Sequence, residues 1–169
     1  LKAFAYYHRL INSRSRLFFV GGYRHFEAYQ FNLARLAERL DVADNVHWCG
    51  WVSYDDGFGA YYQLASVFVY MSEHEGFCIP LLEAMSFDVP VIAYKAAAVP
   101  FTLADAGILV SRKRYEVIAS LVDLIRLDAP LRRRLIATQR QRLVQFAPER
   151  TLEQLQQAVE RYARTTPRA

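Results

Sequence analysis

Apolar residues recur at positions 1, 4, 5, 7, 10 and 11, the spacing of one helical face, so the chain is expected to open on an amphipathic helix. Leu17-Phe18-Phe19-Val20 then reads as a buried strand closed by Gly21-Gly22. Helical spacing returns from Phe26 to Leu40, a short strand follows from Asn45 to Cys49, and residues 55–64 suit a short helix despite two glycines. Val67–Met71, Val89–Tyr94 and Ile108–Val110 are three more apolar runs of strand length. Pro80–Phe87 is the helix between the first two of these, its proline placed where a helix start needs no backbone donor. A short helical turn is expected at Pro100–Ala104. From Tyr115 onward the pattern is helical, in three segments: Tyr115–Leu127, Pro130–Gln145 and Pro148–Arg164. Thr165–Ala169 reads as a loose tail.

Strands alternating with helices imply βαβ units and a parallel sheet. The strands are near-continuous apolar runs, as expected when helices cover both faces. The expected fold is therefore α/β, a three-layer αβα Rossmann-like domain over residues 1–164 with helices at its C-terminal end. In such sheets ligands bind beyond the carboxyl ends of the strands. That rule gathers Gly21-Gly22, Gly50-Trp51-Val52, Ser72–Cys78 and Lys95–Pro100 around one crevice.

Composition narrows this picture. The chain has 169 residues, 53% of them apolar and 22% charged, enough for one domain with a full core. No run approaches the roughly 18 apolar residues of a membrane span. The first residues are too short and too polar for a signal peptide, and without an initiator Met the chain reads as an excised piece. Cys49 and Cys78 form neither a disulfide framework nor a metal-ligand spacing, and the four histidines add no zinc pattern, so no metal is expected and the cytoplasm is the default compartment. Charge is uneven: residues 1–111 hold 8 Lys/Arg against 11 Asp/Glu, whereas residues 112–169 hold 13 against 6. The basic third, with Arg112-Lys113-Arg114 and Arg132-Arg133-Arg134, suits either peripheral contact with an anionic membrane or a solvated helix surface. Its arginines are not interleaved with aromatics, which argues against single-stranded nucleic acid.

The candidate chemistry lies in Ser72-Glu73-His74-Glu75-Gly76-Phe77-Cys78-Ile79-Pro80-Leu81-Leu82-Glu83-Ala84-Met85. A buried strand, a glycine-bearing turn and a helix N-terminus make an anion site, and Glu75 and Glu83 beside it suit a ligand with both phosphate and hydroxyl groups. A glycosidase pair is disfavoured. Eight residues of helix span about 12 Å, more than the roughly 5–9.5 Å such pairs need. Cys78 at the helix start has the setting of an activated thiol but no identifiable His or Asn partner.

These blocks resemble the C-terminal, nucleotide-sugar-binding domain of the family 4 (group 1) glycosyltransferases of the GT-B fold. Asn45-Val46-His47-Trp48-Cys49-Gly50-Trp51-Val52-Ser53 looks like the family's strand and loop at the nucleobase. Glu75-Gly76-Phe77-Cys78-Ile79-Pro80-Leu81-Leu82-Glu83 fits its Glu-x7-Glu motif, and Val89-Pro90-Val91-Ile92-Ala93 and Asp105-Ala106-Gly107-Ile108-Leu109-Val110 follow in the expected order. The resemblance implies transfer of a hexosyl group from a nucleoside-diphosphate sugar with retention of configuration and no required metal or cofactor. It implies that Glu83 binds the ribose hydroxyls and that Glu75, the catalytic candidate, binds those of the transferred sugar. Backbone amides of Phe77, Cys78 and Ile79, with Gly76, would face the sugar and diphosphate, Trp51 and Val52 would contact the base, and His74 and Gly22 are further donor-site candidates.

The sequence departs from the family at several points. Phe101 stands where a glutamate is usual, Ala104 where glycine is usual, and Phe87-Asp88 replaces a common Cys-Gly pair. The family's domain begins with a strand and a loop carrying an Arg and a Lys for the diphosphate. No residues here match them, since Arg9, Arg14 and Arg16 come too late. That first strand, near the middle of the sheet, and an N-terminal acceptor domain are thus expected to lie outside this chain. The competing readings are a non-catalytic GT-B-like interaction or membrane module, and another GT-B enzyme such as an epimerase or phosphorylase.

Overall fold

The structure is a computed structural model and describes residues 1–22 and 27–165. Eight α-helices and five short strands alternate along the described chain: α1 (Lys2–Leu10), β1 (Leu17–Val20), α2 (Glu27–Arg39), β2 (Val46–Gly50), α3 (Phe58–Leu64), β3 (Phe68–Tyr70), α4 (Ile79–Ser86), β4 (Val91–Tyr94), α5 (Val99–Leu103), β5 (Ile108–Val110), α6 (Tyr115–Leu127), α7 (Ala129–Leu143) and α8 (Pro148–Thr165). The expected α/β architecture is present. Phe26, expected to open the second helix, and residues 166–169 of the expected tail lie outside the described residues, and Thr165 closes α8.

Among the described residues all strand pairing is parallel, and it falls in two groups, β1-β2 and β3-β4-β5. β1 pairs with β2, Phe18 opposite His47, and β4 lies between β3 and β5, with Ile92 opposite both Val69 and Ile108. Side-chain alternation explains the burial of β4. Val91 and Ala93 face a core built with α4 and α5, while Ile92 faces one built with α6 and α7, and all three are fully buried. A third cluster joins Ala5 of α1, Ala37 of α2 and Val46 of β2. The two halves meet where α1 packs along α6. There the Tyr7 hydroxyl accepts from Arg126 Nε at 3.1 Å, and Arg126 also pairs with Asp123 at 2.9 Å.

Two departures from the family pattern acquire a physical meaning. Asp88 (φ +58°) and Ala104 (φ +49°, ψ −122°) both occupy backbone conformations that glycine adopts freely and other residues resist. Asp88 is held there by a two-pronged ion pair with Arg140 of α7, whose guanidinium keeps the Asp88 carboxyl below its usual range. Among the described bonds, Ala104 has its backbone bond to Pro100 O, at 3.0 Å, and no side-chain partner to hold it. Ala104→Gly is therefore expected to stabilise the domain by about 1 kcal/mol, raising its Tm by roughly 2–4 °C in a thermal melt. A lower Tm would show that the alanine conformation is unstrained.

Candidate functional site

The site forms at the carboxyl ends of the strands. Within α4, Leu81, Ala84 and Met85 are buried, which leaves Glu83 on the face turned from the core. Cys78 is the N-cap that precedes the helix, itself buried and in the left-handed conformation (φ +69°), and its side chain makes no capping bond. Pro80, at the second helical position, brings no N–H, so the free backbone donors at this end are those around Phe77–Ile79. The turn is tied down from one side. Thr102 of α5, fully buried, donates its hydroxyl to Phe77 O, and the Phe77 ring meets Phe146 edge-to-face at 5.5 Å. Arg142 of α7 spans the same wall, its guanidinium 4.8 Å from the Phe146 ring and its N–H groups donating to Phe101 O and Thr102 O. Phe101, at the position where glutamate is usual, turns its side chain outward and is 67% exposed.

Both motif carboxylates are held by tyrosines. The hydroxyl of Tyr70, at the end of β3, donates to Glu75 Oε1. Glu83 Oε2 accepts from Tyr62 of α3 at 3.0 Å, and Glu83 Oε1 accepts from Tyr54, in the loop after β2. The Tyr54 contact brings the 51–57 loop across to α4, uniting the expected base loop with the Glu-x7-Glu motif. In that loop Trp51 is 74% exposed and Val52 half-buried, and a Cβ on Gly22 would lie 3.6 Å from that of Trp51, so the ends of β1 and β2 adjoin. Gly76 is different: a Cβ there would meet no protein atom within 4 Å, so the protein's own packing does not demand glycine at that point.

His74 is exposed, its backbone N–H donating to Ser72 Oγ at 3.3 Å, and its ring makes none of the described hydrogen bonds. Beside it, Glu73 pairs with Lys113 at 2.7 Å, and Lys113 also lies over the Tyr94 ring at 4.5 Å. This pairing, with Arg140–Asp88, Arg126–Asp123, Arg114–Glu116 and the bonds of Arg132 to Ser66 O and Arg142 to α5, occupies much of the basic third internally. Among the described residues no helix is long and apolar enough to cross a membrane, and no three His, Cys, Asp or Glu side chains gather as a metal site would require.

From the sequence, the aromatic pair Tyr61-Tyr62 reads as core packing and Tyr70 as one residue of an apolar strand run. Tyr62 is indeed core, 8% exposed, but its hydroxyl needs a partner, and that need was the available signal. Cys78 is buried in apolar surroundings that push its thiol up to about 11, opposite to the shift an activated nucleophile shows. A raised thiol pKa stabilises the fold fully below the unfolded value, near 8.5, and that contribution is lost as pH rises toward about 11. Stability is thus expected to fall over pH 9–11 and to fall less in Cys78→Ala. A denaturant series across that range checks this, and identical slopes would contradict it.

Hydroxyl-accepting carboxylates around a helix start, on the crest of a parallel sheet, define a Rossmann-like ligand-binding domain. The profile of the glycosyl transferases group 1 family matches residues 1–142, and the chain belongs to that family. It is 36% identical over 76 residues to the O-antigen chain mannosyltransferase B of Escherichia coli, a match covering 42% of this chain and 20% of that protein. Its fold is that of GT-B glycosyltransferase domains. Sucrose-phosphate synthase from Thermosynechococcus elongatus superposes with a TM-score of 0.78 at 22% identity, over 98% of this chain and 42% of the other. Anabaena Alr3699/HepE, solved in complex with UDP and glucose, superposes with a TM-score of 0.73 at 16% identity, over 94% and 43%. The chain thus spans a minor share of each of these relatives.

Proposed function

We propose that this chain is the donor-binding half of a retaining, metal-independent glycosyltransferase that moves a hexosyl group from a nucleoside-diphosphate sugar to an acceptor held on a separate N-terminal domain. The observation that carries the reading is the disposition of Glu75 and Glu83: each is half-buried, each is held by a tyrosine hydroxyl, and they flank the open start of α4. Glu83 takes the ribose hydroxyls and Glu75 those of the sugar, while the amides at Phe77–Ile79 take the diphosphate. As the glycosidic bond breaks, negative charge grows on the diphosphate. A helix N-terminus aimed there stabilises it with no reorganisation at the moment of reaction. Trp51 and Val52 border the base, and Gly22 and Gly76 leave room for close approach.

The division of the strands into two sheets supports a further part of the reading. A parallel strand preceding α1, entered between β1 and β3, would join them into one sheet and bring with it the positive charge the diphosphate needs. The UDP complex of the Anabaena relative supports a nucleoside-diphosphate ligand. Calorimetry of the full-length protein with UDP-, GDP- and ADP-sugars tests the reading. Binding of one class is expected, and no binding of any at millimolar concentration would overturn it.

A further inference from the structure

Tyr62 and Tyr54 reach the same carboxylate from opposite environments. Tyr62 is wedged among rings: Phe87 stacks on it at 5.5 Å and 10°, Phe58 meets it edge-on at 5.5 Å, and Phe68 lies 5.7 Å away. The stack depends on a glycine one turn earlier in α3. A Cβ on Gly59 would come within 2.8 Å of the tip of the Phe87 ring, so a side chain at position 59 would push that ring aside. Held in this way, the Tyr62 ring is confined, and its hydroxyl donates to Glu83 Oε2 at 3.0 Å. Burial, and next the charge of Glu83, push its ionisation well above the usual tyrosine range, so it stays a donor at every physiological pH. Tyr54, by contrast, is 72% exposed, and of the ring contacts described it makes one, to Phe58 at 5.0 Å. Its hydroxyl fills the other oxygen, Oε1, from the solvent side.

We propose that these tyrosines have opposite duties toward a bound ligand: Tyr62 is a positioning residue that fixes the Glu83 carboxylate, and Tyr54 is a displaceable stand-in whose hydroxyl occupies the place a ribose hydroxyl takes. The inference rests on the reading of Glu83 as the ribose acceptor. An ionised carboxylate only accepts hydrogen bonds, and a diol needs both of its oxygens presented in one plane. Tyr62 sets that plane from the protein side. Tyr54 keeps Glu83 from facing water alone when no ligand is bound, and the ligand exchanges one hydroxyl for another there. That exchange makes the free loop a competitor, and a competitor reduces apparent affinity by the fraction of time it holds the site.

Removing the two hydroxyls therefore has opposite consequences. Tyr54→Phe keeps the ring on Phe58 and removes the competitor, so affinity for a ribonucleoside diphosphate rises about threefold to tenfold. Tyr62→Phe keeps the ring stack and removes the orienting bond, so affinity falls about tenfold, the equivalent of one hydrogen bond to a charged group. Its preference for ribose over 2′,3′-dideoxyribose narrows by a similar factor.

The experiment is calorimetric titration of the full-length protein and both variants with UDP and 2′,3′-dideoxy-UDP, and with the guanosine and adenosine pairs in parallel. Thermal melts verify that each variant is folded. Opposite shifts, with the ribose preference reduced only in Tyr62→Phe, are the expected result. Binding by the unaltered protein, combined with equal effects of the two changes or an undiminished ribose preference in Tyr62→Phe, overturns this inference and leaves the donor reading standing. Should Tyr62→Phe fail to fold, Tyr54→Phe decides the matter, since a weaker or unchanged affinity contradicts the stand-in role. Absence of binding by the unaltered protein overturns the donor reading, and this inference falls with it.

Discussion

Glu83→Gln is expected to weaken nucleoside diphosphate binding by about 100-fold while leaving the weak binding of pyrophosphate unchanged. The glutamine has the same size and the same place on α4, so the packing of Leu81, Ala84 and Met85 beneath it is untouched. What changes is the acceptor. A carboxylate offers two charged oxygens to a diol, whereas the amide offers one neutral oxygen and a competing donor. Hydrogen bonds to charged groups contribute about 1.5–3 kcal/mol each, and losing one outright while weakening another corresponds to about 100-fold. Pyrophosphate lacks the ribose and should bind at the helix start regardless. Equal losses for both ligands, read by calorimetry, would mean that Glu83 acts through the fold of α4 and not through the ribose.

Glu75→Gln should separate along the other axis. Glu75 lies in the loop between β3 and α4, on the sugar side of the proposed diphosphate position, and Tyr70 holds its carboxylate. In the proposed reading its contacts are to the group being transferred, so nucleoside diphosphate binding should stay within about twofold. Interactions that strengthen as the glycosidic bond breaks act on turnover, and removing one such group typically costs about 10²–10³ in rate. The expected result is a fall of that size in kcat/KM for sugar transfer by the full-length protein, carried mainly by kcat. A change in KM alone would assign Glu75 to ground-state binding.

Much of the fold was legible because its signals are local. β1 (Leu17–Val20), β5 (Ile108–Val110) and α6 (Tyr115–Leu127) coincide with the apolar runs that announced them, and α1 and α3 differ only at their ends. The boundaries that moved did so for physical reasons. Asn45 enters a short 3-10 turn, its N–H bonded to Val42 O at 3.0 Å, so β2 starts one residue later than expected. Cys78 takes the left-handed conformation, so α4 begins on Ile79 with Pro80 second. Which strands pair with which was not visible, because periodicity announces strands and not their partners.

The site was legible in one dimension only. Its motif glutamates stand eight residues apart and can be read directly, but the tyrosines that hold them come from β3, α3 and the loop after β2, elements joined by tertiary packing. Tyr62 illustrates the difficulty. Its apolar surroundings made it a core residue, and nothing in the spacing announced that its hydroxyl would find Glu83, 21 positions away. The basic third suited either an anionic membrane or a solvated helix surface, and spacing alone did not announce that Arg140, Arg126 and Lys113 pair with Asp88, Asp123 and Glu73.

The central claim is that Glu83 and the start of α4 together seat a nucleoside diphosphate. The most direct measurement is a crystal structure of the protein with UDP or GDP bound. The account predicts the ribose hydroxyls on the Glu83 carboxylate, the phosphates at the amides of Phe77–Ile79, and the Tyr54 hydroxyl moved off Glu83 while that of Tyr62 stays. Phosphates seated away from the start of α4, or a ribose turned to solvent with both tyrosines still on Glu83, would contradict it.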